Sequence, residues 1–336
     1  MDATICNRYS DDILQEAMRR YDIAPGDIDQ GDGFESFIYR FTRGGERFIL
    51  RVTHTMRRTT EMIRGEVDWI NYLAAGGASV ARAALSARGE LVEEIDDGQG
   101  GRFLATAFAH APGKPPRPDV WTPALRESYG RLIGRMHALT KAYEPSNPAW
   151  RRHSWPADSI HDVHRQLEGI DAAALARYQA LIQRVEALPR GRDDYGLIHF
   201  DAHGGNFFVD GDTITLFDFD DCGYNWLAND IAMVLFYMVT NTTDPEATAA
   251  AFLPDFLRGY RDENELDPAW GAIIHDFMSL REIELYAVIL RSYGITPDEA
   301  GTIPHAWTRG FMQERQERIA AGRPYVNYKF DWSKKL

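Results

Sequence analysis

Residues 197–223 read LIHFDAHGGNFFVDGDTITLFDFDDCG. Two histidines, six aspartates and one asparagine stand there among runs of Ile, Leu, Phe and Val. Polar groups in apolar surroundings are costly unless something binds them. Phe207-Phe208-Val209 and residues 214–217 are two short apolar runs joined by Asp210-Gly211-Asp212, a strong hairpin signal. A hairpin brings the residue before its first strand close to the residue after its second, so Asn206 and Asp218 are expected to meet at the open end. An amide oxygen and a carboxylate there form a hard-oxygen site of the kind Mg²⁺ takes, leaving places for water and phosphate oxygens. Asp201 lies five residues before Asn206, in a loop with Gly204 and Gly205. It sets a second carboxylate beside that site, suited to accept a proton from a hydroxyl aligned on a phosphoryl group.

Upstream, the first hundred or so residues read as strands broken by one helix. Phe37, Tyr39 and Phe41 alternate, RGGE turns the chain, and Phe48, Leu50 and Val52 alternate again, which is a hairpin with one buried face. Arg51 has the opposite parity and points to the other side of that sheet. Over 59–75 the period becomes helical, with Ile63, Val67, Ile70 and Leu73 in a stripe that Gly76-Gly77 ends. Strands are expected again at 90–94 and 102–109, around the turn DDGQGG. APGKPPRP, residues 111–118, is the sharpest break in composition and reads as a hinge. Beyond it the character is mainly helical, with helices expected at 123–140, 173–188, 227–239, 245–261, 268–293 and 306–321. The aromatic, proline-rich stretch 146–158 reads as a loop or lid.

At 336 residues, with 44% hydrophobic and 26% charged content, the chain suits one large or two medium globular domains. A formal charge of −13 gives no net attraction to phosphate backbones, so neither nucleic acid nor a membrane surface is an expected partner. The same charge is compatible with a cationic substrate. Cys6 and Cys222 make neither a disulfide framework nor a zinc spacing. MDATICNRYSDD has no basic or apolar part of a secretion signal, and no apolar run reaches the length of a membrane span. A cytoplasmic protein, monomer or homodimer, is the expectation.

D-x-x-x-x-N followed by an aspartate after the next strand is the arrangement of a kinase catalytic loop. IHFDAHGGNFF matches the H-x-D-x-H-x-x-N signature of the aminoglycoside phosphotransferase/choline kinase group, and LFDFDD matches its metal-binding segment. GDGFESFIYRF, RFILRV, Glu66, LATAFAHAPG and LANDIAMVLFY agree with that group in order. The chain resembles it over roughly 32–293, with a homoserine-kinase-like branch also open. The resemblance implies an α+β, two-lobed protein-kinase-like fold. Residues 1–110 would form a nucleotide-binding lobe with a small antiparallel sheet and one helix, 111–118 a hinge, and 119–336 a helical lobe with the catalytic loop and acceptor site. It implies a phosphotransferase that moves the γ-phosphate of ATP, with Mg²⁺, to a hydroxyl of a small molecule: an amino-alcohol, a hydroxy amino acid or an aminoglycoside. By the same resemblance Asp201 would orient or deprotonate the acceptor, and Asn206 and Asp218 would hold Mg²⁺. Gly33 and Ser36 would cover the phosphates, Ala107 and Ala109 would offer backbone hydrogen bonds to adenine, and His199 with Asp230 would fix the catalytic loop.

Two departures stand out. Arg51 replaces the usual phosphate-binding lysine; it keeps the charge and can pair with Glu66 in two-pronged fashion. The loop 31–36 has two glycines rather than three. Only Tyr224 carries a hydroxyl between Asp218 and Asp230, which leaves no room for a phosphorylated activation segment and favours a small-molecule kinase. Glu284 falls on the apolar stripe of 268–293 and needs either an ion pair, with Arg281 or Arg291, or a cationic acceptor. Asp220, Asp221 and Trp226 could line the same acceptor pocket, as could Tyr286, and His137 reads as structural. Competing readings are an aspartyl-phosphate phosphohydrolase built on TLFDFDDCG, a non-catalytic nucleotide-binding scaffold, and a protein serine/threonine kinase of the same fold.

Overall fold

The structure is a computed structural model that describes residues 2–33, 35–117, 120–156, 162–240, 242–328 and 332. Phe34 of the glycine-bearing loop, Pro118 of the hinge stretch, and Ala157 and Asp158 of the aromatic loop lie outside the described residues. The chain forms two compact units. One is Met1–Lys114 with Ala142–Arg152 and Phe207–Asp220; the other is Pro115–Lys141 with His153–Asn206 and Asp221–Leu336.

In the first unit the alternation of 37–52 becomes strands β2 (Phe37–Arg43) and β3 (Glu46–His54), antiparallel with Tyr39 opposite Leu50. Strand β1 (Ile28–Gln30) flanks β2, and β6 (Arg102–Ala109) pairs with the other edge of β3. Short strands β4 (Ala83–Ala84) and β5 (Glu93–Asp96) line the far edge of β6. Strand β5 starts later than the expected 90 because Ser86 and Glu90 close a turn, N to O at 2.8 Å. Parity sorts the two faces of the sheet. Tyr39, Phe41, Leu50 and Phe103 share a core with Ile5, Ile13, Ala17 and Tyr21, which belong to or directly follow two helices that the sequence reading did not assign, α1 (Ala3–Arg8) and α2 (Asp11–Arg20). Helices that short do not persist alone in water. They hold because burying each such side chain contributes about 1.5–3 kcal/mol. Leu104, of opposite parity, meets Ile63 and Val67 of α3 (Thr60–Ala75). Thr59 caps α3 by accepting the Met62 N–H at 3.2 Å.

The expected hairpin is present as β8 (Phe207–Asp210) and β9 (Thr213–Leu216), with Phe207 opposite Leu216. Gly211, at φ 60°, makes its tight turn possible. Lys114 and Val209 exchange backbone hydrogen bonds of 3.1 and 2.8 Å, which fasten this hairpin to Lys114 within the stretch 111–118.

The second unit is helical around a two-stranded ribbon, β7 (Tyr195–Ile198) with β10 (Gly223–Trp226). Helix α4 (Pro123–Thr140) crosses α8 (Pro245–Glu263) through glycines. A Cβ on Gly130 would stand 1.9 Å from the Phe256 carbonyl oxygen, and one on Gly259 would stand 1.9 Å from that of Glu127. Helices α5 (Val163–Leu167), α6 (Ala172–Glu186) and α7 (Leu227–Val239) surround α9 (Gly271–Tyr293). Helix α9 is buried on nearly every side, Arg281, Glu282 and Glu284 included, so its apolar stripe understates how enclosed it is. The helix expected at 306–321 is two, α10 (Ala306–Met312) and α11 (Arg315–Ala320), broken where Glu314 takes φ 62°. Among the described residues no helix is long and apolar enough to cross a membrane.

Candidate active site

The loop after β7 is held from its own unit. Asp230, in the first turn of α7, accepts the N–H groups of His199 at 3.0 Å and Phe200 at 2.7 Å. Phe200 has φ 72°, a left-handed conformation that costs a bulky residue free energy and persists only where its surroundings impose it. His199 is fully buried, and its Nδ1 accepts the Asp201 N–H at 3.2 Å. From α4, the Tyr129 hydroxyl donates to the Ala202 carbonyl at 2.6 Å and the Thr140 hydroxyl to that of Leu197 at 2.7 Å. His137 lies 3.3 Å from Asp230 and 2.8 Å from the Tyr260 hydroxyl, a structural position.

Asp201 emerges from this loop with both carboxylate oxygens engaged. Oδ1 takes the Arg281 guanidinium at 2.5 Å; Oδ2 takes the Asn206 amide at 3.1 Å and lies 3.3 Å from His203 Nε2. His203 Nδ1 accepts the Gly205 N–H at 2.9 Å, so the ring proton is carried on Nε2, toward Asp201. Burial opposes ionisation of Asp201, but the Arg281 charge and then His203 outweigh it and hold the carboxyl well below the usual carboxylate range. Asn206 also donates to the Asp201 backbone carbonyl at 2.9 Å. With its amide nitrogen engaged twice, its oxygen is the end left for a cation.

On α9, one turn beyond Arg281, Glu284 is 2% exposed. Its Oε1 accepts from Trp155 Nε1 at 3.2 Å, and its other oxygen has no hydrogen-bond partner among the described residues. Burial lifts the carboxyl to about 7, against the pull of Arg281 and the Trp155 hydrogen bond. The ion pair weighed between Glu284 and Arg281 is therefore not the one formed, since the guanidinium bonds to Asp201 and the Tyr237 hydroxyl. The negative charge of Asp221 adds to the upward push on Glu284. Trp226 is core: its Nε1 donates to the Pro189 carbonyl at 2.8 Å and its ring packs against Trp155, Tyr195 and Phe277. It does not face an acceptor. The Tyr286 hydroxyl likewise donates inside the unit, to Asp171 at 2.8 Å.

In the first unit Arg51 and Glu66 form the expected two-pronged pair, 2.8 and 2.7 Å, fully enclosed. The Nε of Arg51 is left without an acceptor among the described residues. Asp220 is not open to a cationic acceptor. Its carboxylate pairs with Arg57, with Arg58 at 3.1 Å and more distantly with Arg51 at 3.8 Å. Burial disfavours its charge, yet these guanidiniums hold it ionised far below the carboxylate range. Arg57 also pairs with Glu35 of the glycine-bearing loop. In that loop a Cβ on Gly33 would stand 2.1 Å from the Ser36 carbonyl oxygen, so no larger residue fits. The Ser36 hydroxyl makes no hydrogen bond to a described residue. Ala107 lies in the middle of the sheet, opposite Leu50 and Ala84. The Ala109 N–H donates to the Arg82 carbonyl at 2.9 Å and is not open to an adenine ring. Asp218 stands exposed two residues past β9 at φ 62°, a conformation an aspartate tolerates better than most residues.

Sequence reasoning weighed Arg281 only as a partner of Glu284, missing its contact with Asp201, and it missed Arg57 and Arg58. The one available signal was position: Arg281 precedes Glu284 by one helical turn and shares its buried face, and Arg57-Arg58 interrupt the passage from strand to helix with paired charge.

A kinase acting on the hydroxyl of a small molecule is the class this fold and this loop define. The chain belongs to the phosphotransferase enzyme family, whose profile matches residues 31–273. It is 37% identical to the amicoumacin kinase of Bacillus subtilis (strain 168) over 326 residues, 96% of this chain and 95% of that one. Among solved structures, amicoumacin kinase hAmiN in complex with AMP-PNP, Ca²⁺ and Ami matches with a TM-score of 0.90 at 33% identity, covering 98% of each chain. A microcompartment-associated aminopropanol kinase matches with a TM-score of 0.70 at 25% identity, over 93% of this chain and 95% of that one. Membership sets aside the phosphohydrolase and the non-catalytic scaffold.

Proposed function

We propose that the protein transfers the γ-phosphate of ATP, with Mg²⁺, to the hydroxyl of a small molecule that also carries an ammonium group. Asp201 accepts the hydrogen bond of the acceptor hydroxyl and aims its oxygen at the γ-phosphorus. As that oxygen–phosphorus bond forms, the bond from phosphorus to the β–γ bridging oxygen breaks and ADP leaves. The hydroxyl proton passes through Asp201 to solvent, because a carboxylate held so strongly ionised does not keep it. Asn206 Oδ1 and the Asp218 carboxylate are hard oxygen donors set one and two residues beyond the paired ends of one hairpin, and they suit a cation that fills its shell with phosphate and water oxygens. Bound there, Mg²⁺ would neutralise charge developing on the phosphates. Arg51, with its unsatisfied Nε, and the Ser36 hydroxyl would donate to the phosphates.

The observation that carries the acceptor class is Glu284, an enclosed carboxylate with one oxygen unpaired among the described residues, one helical turn from the guanidinium that grips Asp201. An ammonium is the partner such a group lacks. The acceptors named for the relatives agree, since aminopropanol joins an amine to a hydroxyl. The test is an ADP-release assay with amicoumacin, aminopropanol, hydroxylated amino acids, aminoglycosides and the amine-free alcohol matching each. Transfer to the hydroxyl of the aminated acceptors, with a loss of about a hundredfold or more in kcat/KM when the amine is missing, is expected. Equal use of propanol and aminopropanol would overturn the cationic acceptor. Asp201→Asn is expected to lower kcat by about 10²–10⁴ while Mg-AMP-PNP still binds; retained turnover would remove Asp201 from its role.

A further inference from the structure

We propose that Arg281 is the positioning residue of the transfer, setting the carboxylate plane of Asp201 from helix α9, so that turnover depends on a side chain 80 residues away in sequence. This rests on the reading of Asp201 as the group that meets the acceptor hydroxyl.

A carboxylate at the tip of a loop has a free rotation about its last bond, and each orientation presents a different lone pair. Here the two oxygens are held from two directions. Asn206 and His203, members of the same loop, approach Oδ2 at 3.1 and 3.3 Å, so by themselves they would let Asp201 move with its loop. Arg281 approaches Oδ1 at 2.5 Å from a helix enclosed on nearly every side. The guanidinium is fixed in turn. Its Nη2 and Nε donate to the Tyr237 hydroxyl at 2.5 and 3.1 Å, and its carbon lies 5.4 Å from the centre of the Tyr237 ring. Tyr237 belongs to α7, the helix whose first turn carries Asp230, the anchor of the catalytic loop. One pair of packed helices therefore sets both the backbone of the loop and the plane of its carboxylate. Each carboxylate oxygen has two lone pairs, so a hydroxyl can still be accepted after these bonds are made.

An ion pair that served stability alone would behave differently from a positioning one. Removing it would lower the amount of folded protein and leave the kinetic constants of the remainder intact. Removing a positioning contact lowers kcat with binding preserved, because orientation matters in the transition state more than in the ground state. Lysine at 281 would keep the charge but lose the planar fork that spans Asp201 and Tyr237.

The experiment compares wild type, Arg281→Gln, Arg281→Lys and Tyr237→Phe as full-length enzymes. It uses amicoumacin or aminopropanol, whichever the wild type turns over faster, and follows thermal unfolding in parallel. Arg281→Gln is expected to lose about thirtyfold or more in kcat, with KM for Mg-ATP and for acceptor within about threefold. Arg281→Lys should recover part of that loss, and Tyr237→Phe, which keeps the ring and removes only the hydroxyl, should lose about three- to tenfold. If Arg281→Gln keeps kcat within about twofold of wild type while Asp201→Asn is inactive, the inference is wrong and the reading beneath it stands. A loss confined to thermal stability, or one that lysine does not relieve at all, also overturns it. Failure of the underlying reading looks different: wild type phosphorylates neither acceptor, or Asp201→Asn retains full turnover.

Discussion

Glu284 links the stability of the fold to pH through one proton. Burial, resisted by Arg281, moves its pKa from 4.5 to about 7. Between those values the folded protein holds a proton that the unfolded chain has released, so stability is fully present below pH 4.5 and is lost as pH rises toward 7. A shift of that size corresponds to about 3 kcal/mol. Glu284→Gln is expected to remove this slope, and urea midpoints at pH 5 and pH 7.5 should separate less for the variant than for wild type. Identical losses in the two proteins would show that another group carries the pH dependence. The sequence exposed Glu284 because a lone charge on an apolar stripe is conspicuous. It misled at Asp220, whose partner Arg58 lies 162 residues away, since nothing local distinguishes an aspartate awaiting a ligand from one already enclosed by arginines. Trp226 failed for the same reason: an aromatic side chain reads alike in a pocket wall and in a core.

Hairpin β8–β9 shows why spacing can fix a candidate metal site. Phe207 faces Leu216, and the donors Asn206 and Asp218 follow one residue before and two residues after that pair. Side chains alternate along a strand, so a shift of one residue exchanges its faces. One alanine inserted between Leu216 and Phe217 is expected to weaken binding of Mg-AMP-PNP by about tenfold or more, whereas one inserted at Gly211-Asp212 should leave it within about threefold, because the pairing beyond the turn is untouched. Calorimetric titration of the two proteins decides the matter, and equal affinities would separate the hairpin from metal binding. Elements with a strong internal period, such as Thr60–Ala75 and Pro123–Thr140, were legible from the sequence to within a residue or two. Helices α1 and α2 were not, because six- and ten-residue segments owe their existence to the sheet face they cover.

At the scale of the whole molecule, the charge of −13 bears on how the cationic acceptor proposed above would arrive. A field of one sign raises the local concentration of opposite charges and is screened by salt. Raising NaCl from about 0.05 M to about 0.5 M should increase KM for an aminated acceptor several-fold and leave its amine-free counterpart unchanged. A salt-independent KM for both would mean that only the short-range contact with Glu284 matters. The kinase-like architecture was legible because its signature motif is continuous in sequence; the contacts of Arg281 with Asp201 and Tyr237 were not, because they join segments far apart in the chain. The glycine crossing of α4 with α8 carries a last consequence. Tyr129 and Thr140, which hold the Ala202 and Leu197 carbonyls, ride on the helix that Gly130 and Gly259 allow to sit so close. A single methyl group at that crossing would lift the helix and tilt the loop it supports. Natural variation in the speed of such enzymes can therefore be written at a joint between two scaffolding helices, where no catalogue of substrate contacts would look for it.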